Sequence, residues 1–259
     1  MKCKTAVGFL MVFFVALSFA YAEEWVTFKG TSKKDEQFML KGVLTRPQGK
    51  GPFPAIVMLS GGRGFYDAHS KWIQRFVSLG YVALQVDTLS SRGLSDIFGP
   101  FGLVVSPWDA AQDAYDAKTY LSGIPFVNSK RIALIGWAFG GYAVLTAIDP
   151  SIRIENRGSP FKAAIAFYPL CRQPLTGFNA PLLILHGELD DWHPASQCRI
   201  VKGGKGKQVI IMKIYPGAYM CFDMEGMDKT DSGHRLLYDP VATADAVEQV
   251  RKFLAKYVK

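Results

Sequence analysis

The segment G-W-A-F-G-G at residues 136–141 constrains this chain more than any other. An apolar run, R-I-A-L-I (131–135), leads into it, and Y-A-V-L-T-A-I (142–148) leaves it with helical character. A buried strand, a sharp turn and a helix packed back against the strand fit all three pieces. Gly136, Gly140 and Gly141 permit the reversal and the close backbone approach it requires. The residue at the tip, Ala138, then points into the pocket that the turn overlooks. Its side chain is a methyl group, with no oxygen or sulfur to attack an electrophile.

The flanking pattern repeats the same unit along the chain. Short apolar runs predict strands at 25–28, 38–45, 55–60, 82–86, 131–136, 163–168, 181–186 and 209–215. Helical spacing predicts helices at 68–79, 107–122, 139–148 and 240–257, the second opened by Ser106-Pro107 with Asp109 in its first turn. Strands alternating with helices imply an α/β fold: a doubly wound, mostly parallel sheet with helices on both faces and short connections. In such a sheet a binding site lies beyond the carboxyl ends of the strands. The length of 259 residues suits a single domain of this kind.

The N-terminus reads separately. Lys2 and Lys4 precede an apolar run from Ala6 to Ala20, and Ala20-Tyr21-Ala22 matches a small-residue cleavage site. Residues 1–22 are therefore expected to be a signal peptide cut after Ala22, leaving a domain of 23–259 that is secreted or periplasmic. An uncleaved N-terminal anchor is the rival reading, although the run is short for a bilayer span. No later segment is apolar enough to cross a membrane, so no membrane association is expected after cleavage. The mature chain would keep 28 basic against 22 acidic residues, about +6. The basic residues are scattered apart from K-G-G-K-G-K at 202–207, and no basic stripe with stacking aromatics points to nucleic acid. Export permits a disulfide; Cys171 and Cys198 both follow strand-like segments, which leaves Cys221 as the odd thiol.

Four motifs in order then resemble one family. G-W-A-F-G-G (136–141) resembles the nucleophile elbow of dienelactone hydrolase and its relatives, members of the α/β-hydrolase superfamily, which carry Cys or Ser where this chain has Ala138. V-D-T-L-S-S-R-G (86–93) is similar to their D-x-x-x-x-R-G segment. L-I-L-H-G-E-L-D-D-W-H-P (183–194) resembles the acid loop, with Asp190 at the aspartate, and Y-P-G-A-Y-M-C-F-D (215–223) resembles the histidine segment, with Met220 at the histidine. The likeness runs from about residue 38 to the C-terminus. It implies an α/β-hydrolase fold, an ester- or lactone-hydrolase ancestry and no cofactor. It also implies an oxyanion hole formed by the amides of Phe139 and Gly62. The cysteines at 171 and 198 resemble those of exported branches.

The resemblance also implies a triad broken twice. Alanine cannot attack a carbonyl carbon and methionine cannot take a proton near neutral pH, so only the acid, Asp190, survives. Once the nucleophile is gone, losing the histidine costs little further activity, and a double loss fits relaxed selection. The leading expectation is a pseudoenzyme whose pocket binds a small carbonyl, ester, lactone or carboxylate compound. One alternative is an active hydrolase of small esters or lactones using an unrecognised nucleophile such as Cys221. The other is a non-catalytic interaction or scaffold protein. Against rescue, Cys221 adjoins residue 220, and neighbours in extended chain commonly face opposite ways. His193, three residues after Asp190, is a second rescue candidate if it approaches the pocket, with a solvated loop position as the other reading; His186 is expected in the core, His234 at the surface and His69 on a helix face. Glu188, Asp190, Asp191 and His193 crowd one loop, but their spacing matches no metal template. Arg63 and Arg92 flank the expected mouth, as partners for an anionic substrate or as structural ion pairs.

Overall fold

A computed structural model describes residues 21–32, 38–172, 177–200 and 209–259. Residues 1–20 of the expected signal peptide (1–22) and the 202–207 basic run therefore lie outside the described residues. Eight strands form one sheet: β1 (Ala22–Lys29), β2 (Met39–Arg46), β3 (Phe53–Leu59), β4 (Val82–Asp87), β7 (Val127–Trp137), β8 (Ala164–Phe167), β9 (Leu182–Gly187) and β10 (Ile210–Tyr215). Their order is β1-β2-β4-β3-β7-β8-β9-β10. β2 runs antiparallel to both its neighbours, β1 and β4, and the remaining pairs are parallel. The four expected helices are present as α1 (His69–Ser78), α2 (Pro107–Ser122), α3 (Phe139–Ile148) and α4 (Pro240–Tyr257). β1 begins at Ala22, one residue before the start expected for the mature chain.

Side-chain alternation along the central strands divides the interior into two layers. Ala55, Val57 and Leu59 of β3 pack with Leu134 of β7 beneath α2 and α3. Ile56, Met58, Ile135 and Trp137 face the other way, against α1 and α4. Sheet order reverses between β3 and β7, and the crevice at their carboxyl ends is the expected place for a ligand. α2 starts where the sequence places it, because Ser106 and Asp109 form a reciprocal capping box with Pro107 at the first helical position.

The connections are not all short, contrary to expectation. Two small hairpins interrupt the repeating unit: β5 (Phe98–Gly99) with β6 (Gly102–Leu103), and β11 (Asp228–Asp231) with β12 (His234–Leu237). The first has strands too short to carry an alternating pattern. The second turns through Ser232-Gly233, both at positive φ, the backbone that a two-residue hairpin turn needs.

The turn at 136–141 is as tight as its glycines imply. A Cβ at Gly136 would lie 2.3 Å from the Gly140 carbonyl oxygen, and one at Gly140 would lie 2.4 Å from that of Ser60. These contacts are backbone to backbone and cannot be relieved by a rotamer change. Gly136→Ala is accordingly expected to destabilise the fold by about 1–3 kcal/mol. Urea unfolding monitored by tryptophan fluorescence would check it.

Candidate active site

The elbow places Ala138 at φ 50°, ψ −110°, between the end of β7 and the start of α3. This region is unfavourable for any residue with a Cβ, and local packing holds it there. The Ala138 amide donates to the Phe167 carbonyl on β8, and its carbonyl accepts from the Tyr142 amide in α3. Ala138 lines a cavity of about 400 Å³ at the carboxyl ends of the strands, a size suited to a small molecule. Gly61, Gly62 and Phe139 share its wall. Within the described residues the amides of Gly62 and Phe139 have no acceptor, so they remain available to a ligand oxygen. Gly61 is the loop residue facing Ala138, since a Cβ on it would lie 3.8 Å from the alanine methyl.

The wall is mostly apolar. Trp137, Ile97 and Leu170 contribute with Met220, Met224 and Leu236, and Phe98 and Leu103 bring in the β5–β6 hairpin. Arg63 closes part of the rim by pairing with Asp96 at 3.1 Å and with Asp231 on β11. It thereby joins the chain just before β5 to β11 at the rim and is itself spent on carboxylates. Arg92 does not line the cavity. It forms a two-pronged bond to buried Asp113, both contacts at 2.8 Å, and stacks over Phe38. Of the two readings open for this arginine, the structural one holds.

Asp190, at the acid position, is 3% exposed. Its Oδ1 accepts from the amides of Trp192 (3.0 Å) and His193 (2.8 Å), so it stitches its own loop. Its Oδ2 is buried without a hydrogen-bond partner, with His186 Nδ1 at 3.8 Å. Burial raises the carboxyl pKa to about 7, against the two amide bonds that lower it. His186 is fully buried, as expected of a core residue, and burial lowers its pKa to about 4.

Met220 and Cys221 both line the cavity, contrary to the expected alternation. The reason is backbone: Cys221 sits at φ 60°, which breaks the extended geometry on which alternation depends. Cys221 is nonetheless a poor nucleophile. It is 5% exposed, and burial, followed by the charge of Asp223, pushes its thiol pKa up to about 12.

His193 takes the place beside the cavity that one reading allowed it, and His69 lies closer to the cavity than expected. His193 is half-buried on its wall with Nδ1 3.2 Å from the Tyr168 carbonyl. His69, at the start of α1, is 1% exposed; its Nδ1 lies 2.9 Å from the Tyr66 amide and its Nε2 has no partner. Burial lowers both to about 4, so both are neutral at pH 7. His234 is half-buried and stacks on Trp192 at 4.8 Å. Among the described residues no cluster of His, Cys, Asp or Glu could hold a metal ion. Cys171 and Cys198 form a disulfide, and Cys221 is the free thiol among the described residues.

A residue assigned no role in the sequence organises this end of the sheet. Asp223 is 3% exposed and accepts from Trp72 Nε1, Trp137 Nε1 and the Tyr168 hydroxyl, each at 2.8 Å. Those donors belong to α1, the elbow strand and the chain just after β8. Its place in the histidine segment, with buried indoles elsewhere needing an acceptor, was the available signal.

Two measurements follow from these carboxylates. Asp223→Ala strands three buried donors and is expected to cost about 3–5 kcal/mol in chemical unfolding, with Asp223→Asn milder because one carbonyl acceptor remains. For Asp190, a folded pKa above the unfolded value means the native state holds its proton longer. Its ionisation therefore removes stability as pH rises from about 4 to 7. The stability advantage of Asp190→Asn over the parent is expected to grow across that window, read as the Tm difference at each pH.

Comparison with known proteins agrees with this architecture. Residues 40–258 match the dienelactone hydrolase family model. A putative dienelactone hydrolase from Klebsiella pneumoniae superimposes with a TM-score of 0.74 at 16% identity, over 92% of this chain and all of that one. Esterase 2 of Thermogutta terrifontis superimposes at 0.67 and 20% identity, over 90% and 94% of the two chains. At these identities the likeness is one of fold. Among curated sequences, esterase FrsA of Shigella boydii is 27% identical over 171 residues, 62% of this chain and 37% of that protein. A probable dipeptidyl-aminopeptidase B of Ajellomyces capsulatus is 27% identical over 146 residues, 51% of this chain and 15% of its own length. The chain thus spans a minor part of these curated relatives. The match over residues 40–258, on an α/β-hydrolase sheet with the elbow in place, makes this chain a member of the dienelactone hydrolase family.

Proposed function

We propose that the chain is an exported pseudoenzyme of the dienelactone hydrolase family that binds a small carbonyl or carboxylate compound without turning it over. The observation that carries this reading is the unpartnered Oδ2 of Asp190. In the parental triad that oxygen accepts the ring N–H of a histidine, which here is replaced by Met220. A methionine side chain offers the carboxylate no donor. At the other end of the relay, the tip residue is a methyl group.

Retained binding rests on a different set of groups. The free amides of Gly62 and Phe139 line the cavity beside Ala138 and face the start of α3, whose dipole favours an oxygen bearing negative charge. The apolar wall would exclude water from the body of the ligand. Export is supported by the Cys171–Cys198 disulfide, since such bonds persist in oxidising compartments. The alternative of a thiol hydrolase is disfavoured by the protonated, buried state of Cys221.

Hydrolysis of a panel of activated small esters and lactones tests the reading, comparing the natural chain with the Ala138→Ser, Met220→His double variant. The natural chain is expected to give no turnover above background. The double variant is expected to gain at least ~10²-fold, a fraction of what an intact triad supplies. Comparable turnover by the natural chain, abolished by thiol alkylation, would sink the proposal in favour of Cys221.

A further inference from the structure

A second cleft, of about 600 Å³, opens at the opposite end of the sheet, between α2, the first residues of β7, and the segments that precede β8 and β9. Lys130 lies on β7 eight residues before Ala138, and the residues lining the two sites do not overlap. Three lysines line the cleft, Lys118, Lys130 and Lys162, and among the described residues no carboxylate does. None of the three forms an ion pair among the described residues. The acids of α2 are engaged elsewhere: Asp109 in the capping box, Asp113 with Arg92, and Asp116 with Thr31 and Gln112.

Lys118 makes this more than a basic surface. It is 7% exposed, and its ammonium is held by the Ser159 carbonyl at 2.7 Å and the Ser159 hydroxyl at 3.0 Å. A buried cation without a counter-ion is costly, and the neighbouring charge of Lys162 adds to the cost, after burial itself. An anion seated between them would relieve both. The Ser159 hydroxyl, which accepts from Lys118, keeps its own proton to donate, and exposed Ser129 offers another. On the same wall, the buried Oδ1 of Asn179 has no partner and needs a donor. Anionic oxygens together with one O–H describe a phosphate group near neutral pH.

We propose that this cleft binds a phosphate group, carried by inorganic phosphate or by a small phosphomonoester. Calorimetric titration of the purified protein with inorganic phosphate, methyl phosphate and sulfate at constant ionic strength tests it. Saturable phosphate binding with Kd of about 1 mM or tighter is expected, with sulfate weaker because it brings no proton to Asn179. The Lys130→Gln, Lys162→Gln variant alters exposed side chains only and is expected to lose about tenfold or more in affinity. The Ala138→Ser, Met220→His variant should bind phosphate as the parent does, which separates this site from the elbow cavity. Tighter methyl phosphate would identify a phosphomonoester as the ligand, and tighter inorganic phosphate the free ion. Absence of saturation at about 10 mM, equal affinity for sulfate, or an unchanged lysine double variant would each overturn the proposal.

Discussion

Asp223 accepts hydrogen bonds from two indoles and a phenol that come from α1, the elbow strand and the end of β8. A carboxylate so deeply buried is tolerable only when its oxygens are satisfied. Its three donors are as constrained as it is, because each is an N–H or O–H far from water. The result fixes the heights of three elements against the loop that carries residues 220 and 221. Trp137 is the key member, since its ring position decides where Ala138 begins. Phe167 stacks on Trp137 at 5.4 Å, and His69 meets it edge-on at 4.8 Å. The cavity floor is thus rigid independently of any catalytic group.

That rigidity explains how unfavourable backbone survives around the cavity. Ala138, Tyr168 and Cys221 all have positive φ and all line the same cavity. Each such residue costs on the order of 1–3 kcal/mol and persists where surrounding packing over-determines it. Here the Ala138 amide is fixed on β8, and the glycines at 136, 140 and 141 admit backbone contacts that no larger residue could share. The geometry of the elbow is therefore a property of the sheet and helix packing. It does not depend on the identity of the residue at the tip.

The chain showed its elements plainly where periodicity was strong. Runs such as 55–60 and 181–186 became central strands, and the Ser106–Asp109 box opened α2 where expected. The β5–β6 hairpin escaped because two-residue strands leave no period to detect, and the Ser232-Gly233 turn was the local mark of the four-residue strands β11 and β12. The histidines were harder still. His69 read as a helix-face residue and His193 as a loop residue or a rescue candidate, and both came to rest against the cavity through contacts with segments distant in sequence. Cys221 was placed by a rule of alternation that its own φ of 60° suspends.

The sequence by itself determined the sheet and the sharp turn at 136–141, since these follow from composition and local spacing, while the expected triad positions rested on the resemblance to a family. It determined too that residue 138 is a methyl group and residue 220 a thioether, facts no folding can alter. Tertiary structure alone decided which polar groups find partners. It satisfied Asp223 three times and left Oδ2 of Asp190 with none. It turned Arg92 inward to Asp113 and stretched Arg63 between Asp96 and Asp231. It also gathered three lysines from separate segments around a cleft lined by no acid among the described residues. Hydrogen bonds and ion pairs reach only a few ångströms, so their partners are set by how distant segments pack, which no local pattern encodes.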